Sequence, residues 1–206
     1  MTLERRRRAY EAEPGSAPRR LALVTALLAA GDAREALTLL DEETEDLDER
    51  TLLALALRRL DRTRRAERLL SDVLAADPVH GGALRQLAEI RIERGAPEAA
   101  IELLERLRRI APEDGAGRAL LGRAQRRLGL VESAGRTLEE SVTIDPYNGS
   151  AYVELARLWE SLGDWERAHE SWEIAAELGA TPADEISRHL AECARKTAPS
   201  PGRPPR

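Results

Sequence analysis

Four kinds of residue return along this chain at a fixed step of 34, and that register constrains the fold more than any other feature. Pro78, Pro112 and Pro146 keep it, as do Gly95, Gly129 and Gly163. Ala66, Ala100, Ala134 and Ala168 keep it as well. So do Leu87, Leu121 and Leu155, each followed by a small residue: Ala88, Gly122 and Ala156. A chain that repeats at this interval is built from supersecondary units too small to bury their own apolar faces, so neighbouring units must stack. Glycine allows a reversal between two helices, and proline stops a helix from running on into the next unit. Alanine or glycine midway along a helix lets a partner helix approach closely, and the large residues beside it fill the gaps.

Composition makes these units helical. Leu and Ala supply most of the apolar content, β-branched residues are scarce and Phe is absent, a mixture that favours helices over strands. Charged residues are 33% of the chain, and among the 32 basic residues only Lys196 is a lysine. The net charge of −5 argues against general nucleic-acid binding, which needs a basic field. The single cysteine, Cys193, has no partner for an internal disulfide and fits a reducing compartment. No apolar run reaches the roughly 18 residues that would span a bilayer.

The 34-residue step with small residues and proline in fixed slots resembles the tetratricopeptide repeat (TPR) family. The resemblance covers about 165 of the 206 residues and fits best from 81 to 178. It implies an all-α fold, a right-handed α-solenoid of about five helix-turn-helix repeats with a C-terminal capping helix. The repeats are expected at 17–46, 47–80, 81–114, 115–148 and 149–182. The first should have helices over roughly 18–30 and 33–44 and be about one helical turn short. Asp61 stands where the second repeat's turn glycine is expected.

Outside the repeats, residues 1–16, with Arg5-Arg6-Arg7-Arg8 ahead of Pro14-Gly15-Ser16, read as a mobile basic arm. The acidic run from Asp41 to Asp46 should face solvent. Residues 183–195 carry Ile186, Leu190 and Cys193 at helical spacing and read as the capping helix. Residues 196–206 have the composition of a disordered proline-rich tail. Arg19-Arg20 followed by the apolar stretch 21–30 reads as the first repeat, with the alternative of a signal segment. The expected location is therefore cytoplasmic, or exported under that alternative.

No catalytic constellation stands out. Gly115-Ala116-Gly117 does not follow a strand, which removes a nucleotide-binding fingerprint. Glu185, His189 and Cys193 share a helix face at metal-ligand spacing, but that face also serves capping, and no metal or cofactor is expected. Trp159, Trp165 and Trp172 fall on helix-packing slots and read as core.

The family resemblance also implies a concave groove lined by the first helix of each repeat. Carried onto this chain, its slots hold Thr51, Leu55 and Arg58; Arg85, Glu89 and Ile92; Ala119, Arg123 and Arg126; and Val153, Arg157 and Glu160. The candidate binding residues are Arg58, Arg85, Glu89, Arg123, Arg126 and Arg157, because forked guanidinium donors suit carboxylates. The competing reading has these arginines paired with Glu89, Glu154 and Glu160 on a solvated surface. The chaperone-binding subclass needs particular asparagines, and the only asparagine here is Asn148, so that reading is not adopted. The expected function is a non-enzymatic scaffold, an adaptor or assembly factor, that binds an acidic or C-terminal segment of a protein or peptide partner. The alternative is a structural subunit or self-associating module that uses its convex face or ends.

Overall fold

A computed structural model describes residues 2–197, so all but the first two residues of the expected proline-rich tail lie outside the described residues. Twelve helices and no strand occur among them. The chain divides into two compact units, Met1–Arg94 and Gly95–Arg206. The division falls inside the third expected repeat.

The first unit holds α1 (Leu3–Ala12), α2 (Ala17–Ala30), α3 (Ala33–Thr38), α4 (Leu47–Arg59), α5 (Thr63–Ala76) and α6 (Gly81–Glu93). Each helix packs on the next, and α2, α4 and α6 also touch in succession. Its core is formed by residues such as Leu27, Leu53, Leu57, Leu70 and Leu84, with Ala54 and Ala66 at the close approaches; all are fully buried. The second unit holds α7 (Pro97–Ile110), α8 (Gly115–Arg127), α9 (Val131–Ile144), α10 (Gly149–Leu162), α11 (Trp165–Glu177) and α12 (Ala183–Thr197). Sequential packing recurs here, with α8 also against α10. Ala100, Ala134 and Ala168 are fully excluded from solvent, as interlocking helices require.

The turns follow from the local sequence. Gly95, Gly129 and Gly163 have φ of +75°, +72° and +72°, the left-handed conformation that ends a helix. Asp61 takes the same conformation at φ +62°, the one non-glycine residue to do so among those described. Asp46, Asp114 and Asp164 cap the helices they precede by accepting a backbone N–H at 2.9, 3.0 and 3.2 Å. His80 does the same for α6 through Nδ1, and its Nε2 lies 3.2 Å from Asp48.

Two expectations are corrected. The basic arm is a helix. Nothing between Leu3 and Ala12 breaks one, and Arg6 donates to the Ala22 carbonyl at 2.7 Å while Arg19 donates to the Ala9 carbonyl at 3.1 Å, tying α1 to α2. The second helix of the first repeat ends at Thr38, not near 44. The N–H of Asp41 turns to Glu49 Oε1 at 3.0 Å, and the following acids would have opposed the dipole at a longer helix's C-terminus. Glu49 itself is buried and bonds Arg20 at 3.0 Å. The stretch 21–30 packs as α2, with Leu23, Val24, Leu27 and Leu28 buried. No described helix is long and apolar enough to cross a membrane.

Candidate functional site on the first helices

Within each unit successive first helices meet edge to edge, which places a side chain near the end of one helix beside a residue of the next. In the second unit this brings four groups of α8 and α10 together. Glu154 of α10 is 5% exposed, and Arg126 of α8 donates to its Oε2 from Nε at 2.9 Å and from Nη2 at 2.7 Å. Glu154 Oε1 is held only loosely: Arg123 Nε is 3.6 Å away and Arg157 Nη1 is 3.5 Å away. Arg157 also reaches α12, donating from Nη2 to Glu185 at 2.9 Å. Three guanidiniums thus surround two carboxylates, an excess of one positive charge.

Their bonding is unequal. Arg126 is committed to Glu154. Arg123 makes no hydrogen bond among the described residues, and its Nε is shielded from water without an acceptor. Its terminal amino groups also lack an acceptor there but reach solvent, so an arriving carboxylate would pair with them. The three arginines are half-buried, so an anion arriving there would meet them partly desolvated.

The first unit is arranged differently. Arg58 of α4 donates to Glu89 Oε2 and Glu93 Oε1 of α6, both at 2.8 Å. One guanidinium there faces two carboxylates, so Arg58 and Glu89 are spent on each other. Arg85 lies half-buried on α6. Of the other slots, Thr51, Ile92, Ala119 and Val153 are buried, so they face packing partners and not an open groove. Glu160 pairs with no arginine among the described residues. Its Oε1 accepts from Trp172 Nε1 at 2.9 Å and sits 2.8 Å from His189 Nδ1, whose ring stacks on Trp172 at 4.2 Å.

That last contact closes the end of the array. Trp172 and Cys193 are fully buried and Ile186 nearly so, in one cluster with Ala156, Ala168 and Ala175. Trp159 and Trp165 are half-buried, with Arg167 and Lys196 over their faces at 4.5 and 5.4 Å. Glu185, His189 and Cys193 are each engaged in this packing, and no group of described residues is placed to hold a metal. Glu185 belongs to the arginine cluster, although it lies outside the groove slots that the family resemblance implies. The spacing offered a signal, since Arg126 to Glu154 and Arg157 to Glu185 are both 28 residues apart.

Stacked helical hairpins with a polar seam along their first helices define a helical-repeat scaffold. Residues 57–124 match the tetratricopeptide repeat family model. That segment carries the tetratricopeptide repeat. The chain's fold is similar to that of TTC0263, a thermophilic TPR protein of Thermus thermophilus, with a TM-score of 0.75 and 22% identity over 87% of this chain and 100% of that one. A chain of the APC/C hetero-tetramer Cut9-Hcn1 gives a TM-score of 0.79 at 19% identity, covering 94% of this chain and 39% of that longer one. MamA from Desulfovibrio magneticus RS-1 gives 0.60 at 23% identity, over 80% of this chain and 95% of that one. No curated protein matches this sequence.

Proposed function

We propose that this protein is a non-catalytic scaffold that binds an acidic or C-terminal segment of a protein partner at the Arg123–Arg126–Arg157 cluster. One observation carries the reading: three half-buried guanidiniums share Glu154, and one of them, Arg123, has terminal amino groups with no acceptor among the described residues. A second carboxylate is the group that complements this arrangement in charge and geometry. Arg126 is the positioning residue, since it holds Glu154, and Arg123 and Arg157 are the binding residues. Arg58 and Glu89 serve to join α4 to α6 and are not part of the binding surface. A partner protein is in keeping with a structural neighbour, Cut9, that is part of a hetero-tetramer with Hcn1.

The experiment is affinity capture from the native cell with the wild-type chain and with Arg123→Gln/Arg157→Gln as parallel baits. A partner held by wild type and depleted from the variant supports the reading. Identical capture by both baits overturns it.

A further inference from the structure

A second basic feature lies in the first unit, at the turn that joins α4 to α5. An open cleft of about 740 Å³ is lined there by five arginines and two acids, with Arg62, Arg64 and Arg68 at its wall. Two of the five arginines are already neutralised: Arg65 pairs with Glu42 at 2.6 Å and Arg94 pairs with Glu67. Glu93, one of the two acids, is taken by Arg58 at 2.8 Å. The side chains of Arg62, Arg64 and Arg68 have no hydrogen bond or ion pair among the described residues. Arg64 and Arg68 stand four residues apart, hence one above the other on one face of α5. No side chain caps the N-terminal amides of α5 beside them.

Three positive charges with only the Asp61 carboxylate among them leave an excess of two around one concavity, and an anion removes that repulsion. A single carboxylate balances one guanidinium. Three unpaired guanidiniums next to a helix N-terminus match a group with at least two negative charges and three acceptor oxygens. The volume falls within the roughly 300–1,000 Å³ of small-molecule sites. We infer that this cleft binds a small soluble phosphorylated anion, with Arg62, Arg64 and Arg68 as its ligating residues. This site is separate from the Arg123 cluster, and neither assignment depends on the other.

The test is isothermal titration of pyrophosphate into the full chain at constant ionic strength. It is repeated with Arg62→Gln/Arg64→Gln/Arg68→Gln and with the exposed Arg127→Gln. Saturable one-site binding is expected for wild type and for Arg127→Gln, with affinity at least about tenfold lower in the triple variant. The three arginines make no bond that the fold uses, so the triple variant should melt as wild type does. If it does not, Arg68→Gln alone should still weaken binding. Absence of saturable binding, equal binding by the variants of this cleft, or the same heat from chloride would overturn the assignment. A parallel arm uses vesicles of phosphatidylcholine with phosphatidic acid, and binding to these without binding to pyrophosphate would overturn it too.

Discussion

Gly122 of α8 faces Leu138 of α9 so closely that a β-carbon on the glycine would lie 2.5 Å from Leu138 Cγ and 2.6 Å from its Cδ2. Leu138 is fully buried, so it has no free space to move into. Gly122→Ala should therefore destabilise the second unit. Overpacking of this kind costs about 1–3 kcal/mol, and the better helix propensity of alanine returns at most about 1 kcal/mol. The net loss of about 1–2 kcal/mol should lower the melting temperature by a few degrees, read by circular dichroism. An unchanged or raised melting temperature would mean that the two helices are further apart.

The turn between α8 and α9 gives a contrast in sign. Gly129 sits at φ +72°, where an alanine is strained. Gly129→Ala should cost about 1 kcal/mol or more by urea unfolding. Asp61 already bears that strain at φ +62°, so Asp61→Gly should be neutral to stabilising by up to about 1 kcal/mol.

Arg126 and Arg123 both touch Glu154, yet they should respond unequally to substitution. Arg126→Gln removes a guanidinium hydrogen-bonded to a nearly buried carboxylate at 2.9 and 2.7 Å. The expected cost is about 1–3 kcal/mol of unfolding free energy. Arg123→Gln gives up only a 3.6 Å ion pair and should leave stability within about 0.5 kcal/mol. Chemical denaturation of the two variants side by side measures the difference.

Burial pushes the Cys193 thiol up from its ordinary value, and the negative charges of Glu160 and Glu192 push the same way. The thiolate is the reactive form, so Cys193 should resist maleimide at neutral pH while α12 is docked. Trp172→Ala removes the surface on which His189 and α12 pack. Labelling should accelerate sharply in that variant, followed by mass spectrometry. Prompt labelling of the wild type would contradict the buried position of the residue.

The repeat register was readable because it is set by local steric demands. A turn glycine, a blocking proline and a small residue at each close approach are required in every hairpin, so they recur at a fixed step. Departures from that step were visible only in part. Asp61 stood out as a missing glycine, but nothing local announced that α3 stops at Thr38, since the cause is Glu49 eight residues beyond Asp41. The N-terminal arginines look like a solvated run until their carbonyl acceptors on neighbouring segments are known. The binding surface was least legible. The same residue type fills Arg58, Arg123 and Arg157, and only the tertiary arrangement tells a guanidinium bonded to two carboxylates at 2.8 Å from one that meets a shared carboxylate at 3.6 Å.

The central claim, carboxylate recognition at the Arg123 cluster, is tested most directly by titrating the captured partner's acidic or C-terminal segment into wild type and Arg123→Gln/Arg157→Gln. Melting temperatures are measured on the same samples. The account predicts an affinity at least about tenfold lower in the variant at a nearly unchanged melting temperature. Equal affinities for two equally stable proteins would contradict it.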